Sequence, residues 1–411
     1  MEVEAEIEQP NEKFQKYLIF ICWLVYTVAQ VARYSYSVNV TLMIDEYGIT
    51  HAEAGLPSTF YFFAYGIGQI ITGIFCKKYN KRLVVTGALI ISALCNTLLF
   101  IQIEFAYVKY IWMINGLAQS HLWPLVILTI GENVFGGLKR RASVVISTAT
   151  SVGTFLSYGI GALFAINVKL YRYTFLAATI LTLVACVFWQ QLKEVSRKTV
   201  FVQERNSKDS DRKSISISTI LLLSVFAEFA MMSLAISGGL RQWVPSILKE
   251  MYNLTDSLSI VLTLLLPLIS IVNAVVSNWL YEKLQNTVMV CFLMFLMAIP
   301  LFLTLIFCIE ISWALIMVIF ILLTCAMGII QHQMTTQTPL YMSDRINAGF
   351  MAGFLNGCSY LGNALSTYGL GLIADQCSWL GVFVLLMGIS IFSASIALFY
   401  FIAHKSKKVA G

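Results

Sequence analysis

The chain has 411 residues, of which 58% are hydrophobic and only 12% charged, and its mean hydropathy is +0.79. A soluble protein of this length could not cover so much apolar surface, so the composition excludes a soluble enzyme and indicates an all-α membrane protein. The net charge of +6 would suggest nucleic acid in a soluble chain, but here the basic residues lie between apolar runs, and no nucleic-acid partner is expected.

The opening segment MEVEAEIEQPNEKFQKY is acidic and polar, not a cleavable signal peptide, so the first apolar run is expected to stay in the protein. That run, 17–44, is long enough to cross a bilayer and carries one charge, Arg33, more than ten residues from either end. A charge at mid-span costs about 2.5–3.5 kcal/mol on insertion scales. Arg33 either snorkels or pairs with a buried acid, or it faces a water-filled cavity and waits for an anion; the second reading is taken here. An acidic loop follows (Asp45, Glu46, Glu53), then runs at 55–75 and 83–103 separated by a basic turn with Lys77, Lys78, Lys81 and Arg82. Runs at 108–130, 143–166 and 173–191 complete a first set, with Lys139, Arg140 and Arg141 between the first two of these.

Composition then changes. The segment 192–215 is the one long polar stretch, with seven basic and four acidic residues, and reads as a solvated linker. Six further apolar runs follow, at 216–247, 256–280, 287–309, 312–338, 347–373 and 378–402. The expected architecture is twelve transmembrane helices in two pseudo-symmetric six-helix bundles, 1–191 and 216–411, joined by the linker 192–215. Such halves place a substrate near the midplane between them. With the N-terminus, linker and C-terminus in the cytoplasm, 21 Lys and Arg lie inside and four outside: Lys109, Lys169, Arg172 and Lys249. Of the 27 basic residues only Arg33 and Arg241 then remain within the membrane.

Arg241 lies in the seventh run, the counterpart of the first, within SGGLRQWVPSILKE. Gly238-Gly239 before it and Pro245 after it are expected to loosen the helix, which is tolerated where backbone lines a cavity. One arginine from each half could grip a dianion between them, since the planar guanidinium donates two parallel hydrogen bonds and stays charged. Glu228, within SVFAEFAMM, is the one carboxylate deep in a run, and reads as a coupling residue or as an ion-pair partner of an arginine. His121 and His332 lie in symmetry-related runs and either serve proton coupling and the substrate or simply pack. The nine cysteines are scattered without a CxxC pair and read as small buried hydrophobes. No metal site or cofactor is expected. The glycines at 66, 68 and 73 and at 349, 353, 357 and 362 have helix-packing spacing and make no nucleotide loop.

Several motifs resemble the organophosphate:phosphate antiporter branch of the major facilitator superfamily, the glycerol-3-phosphate and hexose-phosphate exchangers, over nearly the whole chain. VARYSYSVNV in the first run is similar to the segment whose Arg binds phosphate, which implies that role for Arg33. AYGIGQIITG is similar to A-Y-G-x-x-x-x-x-x-G and brings in Tyr65. NGLAQSHLWP matches N-G-x-x-Q-x-x-x-W-P at Asn115, Gly116, Gln119, Trp123 and Pro124, the most specific of these patterns. W-x-P-x-x-L-K-E matches from Trp243 to Glu250, and A-G-x-x-x-G followed by Y-L-G matches at Ala348, Gly349, Gly353 and Tyr360-Leu361-Gly362. The branch also has a cavity Tyr at the position of Tyr26, two helical turns before Arg33. Tyr26, Tyr65 and Tyr360, with Asn356 one turn before Tyr360, could donate hydrogen bonds to substrate hydroxyls.

The chain departs from the branch at four positions. Gln69 stands where the exchangers carry Lys, Thr150 where they carry His, Ser237 where they carry the seventh-helix Arg, and Lys77 where the superfamily signature has Asp. Arg241 sits four residues beyond Ser237, one turn along the same face and roughly 6 Å further out. The resemblance implies a monomeric, multi-pass carrier in the cytoplasmic membrane that moves a small organic anion, a phosphate ester, by alternating access and is no enzyme. A proton-coupled carboxylate carrier, a drug exporter and a non-transporting sugar-phosphate sensor remain as alternatives.

Overall fold

The computed structural model describes residues 11–75, 79–192, 217–342 and 348–409. The linker beyond Leu192, Lys77, Lys78 and the segment before Asn11 lie outside the described residues. Within them the chain is helical, without strands. Helix α1 (Glu12–Val38) starts at Asn11, whose side chain accepts from the Lys13 amide, and breaks at Asn39, whose amide Nδ2 donates to the Ser35 carbonyl at 2.8 Å. α2 (Val40–Tyr47) continues the same rod to Gly48, where φ of 61° favours glycine. The single run expected at 17–44 is thus two helices, because Asn39 competes for the backbone.

α3 (His51–Phe75) and α4 (Lys81–Phe100) follow, then α5 (Phe105–Gln119) and α6 (Leu122–Asn133), which meet at a corner over Ser120–His121. Pro124 explains the corner, since it has no N–H to give to the carbonyl of Ser120. α7 (Gly137–Phe164) and α8 (Tyr173–Gln190) complete six rods. The second six are α9 (Ile217–Tyr252), α10 (Asp256–Thr263) with α11 (Leu265–Leu284), α12 (Thr287–Cys308), and α13 (Trp313–His332). α13 passes through a π-helical turn, Gln333–Gln337, into α14 (Thr338–Tyr341). α15 (Ala348–Val409) holds the last two rods, joined at Ser378, where φ is 64°. Among the described residues nine stretches are long and apolar enough to cross a membrane; Phe350–Ala403 holds two rods, and the more polar α3 and α7 bring the rods to twelve.

The burial pattern is that of a protein solvated by lipid. Large apolar side chains point outward, with Phe307 77% and Phe399 76% exposed, while Gln, Asn, Ser and Thr are buried between helices. The two halves meet along α3 and the first rod of α15. A Cβ on Gly55 would lie 2.3 Å from the Thr367 carbonyl oxygen, so only glycine permits that approach. A second seam joins α7 to α10, where Ser257 Oγ donates to the Ala162 carbonyl at 3.1 Å. α9 does not loosen at Gly238-Gly239 as expected. It is continuous, and these glycines instead let Asn363 and Leu370 of α15 pack against its backbone, within 2.0 and 2.5 Å of where a Cβ would stand.

Candidate functional site

Arg33 is 2% exposed, at the heart of the molecule where α1 meets α3 and α15. Its Nε donates to the Tyr61 hydroxyl at 2.8 Å and its Nη1 to the Tyr360 hydroxyl at 3.1 Å. The guanidinium plane lies over the Tyr65 ring, 4.2 Å from its centroid. A desolvated cation over an aromatic face gains about 2 kcal/mol. Tyr61 and Tyr65 are four residues apart, so one face of α3 presents both phenols. Tyr61 in turn donates to Gln119 Oε1 at 2.8 Å, and Gln119 Nε2 donates to Ser92 Oγ and Asn115 Oδ1 at 2.8 and 3.2 Å. The N-G-x-x-Q pattern of the fourth rod therefore works behind the arginine, fixing the phenol that aims it.

Arg241 lies inside the protein, not among headgroups. Its Nη1 donates to the Tyr34 hydroxyl at 3.2 Å, and its Nε is enclosed without a partner. Tyr158 of α7 donates to its carbonyl at 3.0 Å. The phenol of Tyr360 is within electrostatic range of both guanidinium groups. The arrangement is reciprocal: Arg33 of the first half holds Tyr360 of the second, and Arg241 of the second holds Tyr34 of the first. Among the described residues every ion pair sits at helix ends, and neither Arg33 nor Arg241 takes part in one. Phenol dipoles soften two positive charges but do not cancel them, and the guanidinium donors left unused have the chemistry to bind an oxyanion.

Of the residues singled out from sequence, Tyr26, Tyr65, Tyr360 and Asn356 are brought together with Arg33. Tyr26 is buried on the same helix as Arg33 and packs on Trp123, with ring centroids 4.6 Å apart. Gln69 Nε2 donates to the Tyr65 hydroxyl at 2.9 Å and its Oε1 accepts from Asn356 Nδ2 at 3.3 Å, which ties α3 to α15 beside the site. Three residues stand apart. His121 Nδ1 meets Thr72 Oγ1 at 2.6 Å, at the corner of the fourth rod. His332 ends α13 at the π-helical turn, and no contact among the described residues ties it to the arginines. Glu228 accepts from Ser393 Oγ of the last rod at 2.6 Å, and among the described residues it pairs with neither arginine; its Oε2 is buried without a partner. Sequence reasoning missed Tyr61 and Tyr34. Both carried a signal, Tyr61 one turn before Tyr65 and Tyr34 next to Arg33, yet only tertiary contact distinguishes them from the other membrane tyrosines.

A profile of the Major Facilitator Superfamily matches residues 22–367. Sugar phosphate exchanger 3 of Xenopus laevis is 34% identical over 128 residues, covering 29% of this chain and 24% of the exchanger. A probable hexose phosphate transport protein of Chlamydia pneumoniae is 23% identical over 122 residues, 29% of this chain and 27% of its own. The matched stretches thus span about a quarter of each relative's length. Among solved structures, the bacterial homolog of the human lysosomal transporter Spinster, inward-facing and occupied, superposes with a TM-score of 0.78 at 14% identity, over 96% of this chain and 98% of that one. At that identity the likeness is one of fold.

Proposed function

The chain belongs to the major facilitator superfamily, and from that premise we propose that it is a secondary transporter of a small organic anion, a phosphate ester, working by alternating access. The observation that carries this reading is the reciprocal pairing of two arginines, one from each half and neither with a counter-ion among the described residues, on phenols of the opposite half. The names of the relatives, a sugar phosphate exchanger and a hexose phosphate transport protein, agree with it.

Each guanidinium donates to a neutral phenol of the opposite half. An arriving phosphate offers charged oxygens to both, and charge-assisted hydrogen bonds are roughly twice as strong as neutral ones. The anion therefore binds best when both arginines reach it, and this differential affinity is what drives two halves between states. Tyr26, Tyr65, Tyr360 and Asn356 line the remainder of the site and serve the hydroxyls of the ester. Glu228, remote from the arginines, belongs to coupling in this reading, and His121 and His332 to the margins of the site. The six-helix units 1–191 and 216–411, the linker 192–215, a monomeric state and cytoplasmic termini in the cell membrane are parts of the same proposal.

Uptake of radiolabelled phosphate into vesicles preloaded with a panel of sugar phosphates and carboxylates tests it. Stimulation by a phosphate ester and not by carboxylates is the expected result. Saturable binding without counterflow would make the chain a sensor, and stimulation by carboxylates alone would overturn the substrate class.

A further inference from the structure

At the end of the protein that charge counting turns outward, the halves are joined by a second charged cluster, built on residues other than those of the arginine site. His51, the first residue of α3, stands between two carboxylates of the other half: its Nδ1 is 2.6 Å from Asp375 Oδ1 on α15 and its Nε2 is 2.7 Å from Glu250 Oε1 on α9. Both carboxylates are fixed from elsewhere. Asp375 accepts from the backbone amides of His51 and Ala52 at 3.0 and 2.8 Å, and so caps the start of α3 from across the interface. Glu250 Oε2 accepts from Trp379 Nε1 at 2.8 Å. The edges of Trp243 and Trp379 enclose the ring, with centroids 5.6 and 5.2 Å away.

A neutral imidazole has one N–H and one lone pair, and ionised carboxylates only accept. Two carboxylate oxygens on opposite sides of one ring need two donors, so the closed geometry is satisfied only when the triad holds one extra proton. We propose that His51, Glu250 and Asp375 form a proton-binding site at the outer mouth, and that the proton, taken from the outer compartment, clasps the two halves shut at that end.

The other charged groups around the ring are already committed. Glu53, on the same helix, turns back to the Thr50 amide and hydroxyl, and Lys249 of α9 pairs with Asp45 of α2 and with Asp256. Without the extra proton one of the two carboxylates would face the ring's lone pair; with it, two charge-assisted hydrogen bonds cross the interface. Burial opposes a charge on His51, but its hydrogen bonds to Glu250 and Asp375 outweigh that, and its pKa lies above the ordinary histidine value. When the outer ends part, both carboxylates leave with the second half and His51 returns to water at a pKa of about 6.5. A group with a higher pKa in the closed form favours closure below the open-form pKa, and that advantage fades as pH rises through the closed-form value. Each unit between the two values changes the closed-to-open ratio about tenfold. The proton enters and leaves on one side, so it gates without being carried, and the proposal does not depend on what the chain transports.

The test is a distance measured across the outer mouth of the full chain in vesicles, between spin labels on non-canonical residues at the exposed positions Lys169 and Glu310. The wild type is expected to shift towards the longer distance as outer pH is raised from about 5.5 to 8.5, with a midpoint above about 6.5. His51→Gln should give one distribution at every pH, and Asp375→Asn should move the midpoint towards acid. A wild type that ignores pH overturns the proposal, as does His51→Gln with an unchanged midpoint. Should His51→Gln fail to fold, an unshifted midpoint in Asp375→Asn overturns it equally.

Discussion

Replacing Arg33 by Lys keeps the charge and removes the fork. Arg33 uses Nε on Tyr61 and Nη1 on Tyr360 while the guanidinium covers the Tyr65 ring, so an incoming anion takes Nη2 and displaces Tyr360 from Nη1. A tetrahedral ammonium at the end of a shorter side chain cannot hold Tyr61 and present two parallel donors to phosphate at once. One charge-assisted hydrogen bond to the substrate is lost, about 1.5–3 kcal/mol, which is a fall in affinity of roughly ten- to 150-fold. The assay is phosphate counterflow in vesicles loaded with a phosphate ester, read as KM and kcat, beside the shift in Tm that phosphate produces. Arg33→Lys with wild-type KM and an undiminished Tm shift would refute the reasoning, because it would mean that charge alone, and not bidentate geometry, holds the anion.

Other expectations follow from the same contacts. Tyr61→Phe strips the acceptor from Arg33 Nε and leaves the buried Gln119 Oε1 without its donor; a loss of about 1–3 kcal/mol in stability should appear as a lower Tm, together with a raised KM. Tyr34→Phe frees Arg241 Nη1 from its cross-half phenol, so the two halves should part more readily and exchange faster, measured as turnover at saturating substrate. Glu228→Gln keeps an oxygen for Ser393 Oγ and should leave phosphate binding by calorimetry unchanged while altering the dependence of transport on inner pH. Loss of binding in that variant would mean that the carboxylate acts at the arginine site after all.

Hydrophobic runs and charge placement were enough to set out the chain, because a bilayer requires long apolar helices and penalises each charge left inside them. The same subtraction isolated Arg33 and Arg241 among the basic residues, a matter of inventory that needs no coordinates. Which partners those arginines take was not legible. Glu228 is deep in α9 and opposite in charge, yet it faces Ser393 on α15, and a helix's direction of view is set by packing, not by depth. Tyr34, Tyr61 and His51 are ordinary residues in the string. Tyr34 and His51 gain their meaning by crossing from one half to the other, between positions more than 190 residues apart, and Tyr61 by standing behind Arg33.

What the amino-acid order by itself determined is therefore one-dimensional: how many segments enter the membrane, which way they are expected to run, and which cations are left within it. What the tertiary structure alone decided is how the surplus charge is held. Hydrogen bonds act over about 3 Å and at set angles, so they depend on the rotation of each rod about its axis and on the glycine seam between α3 and α15, neither of which hydropathy records.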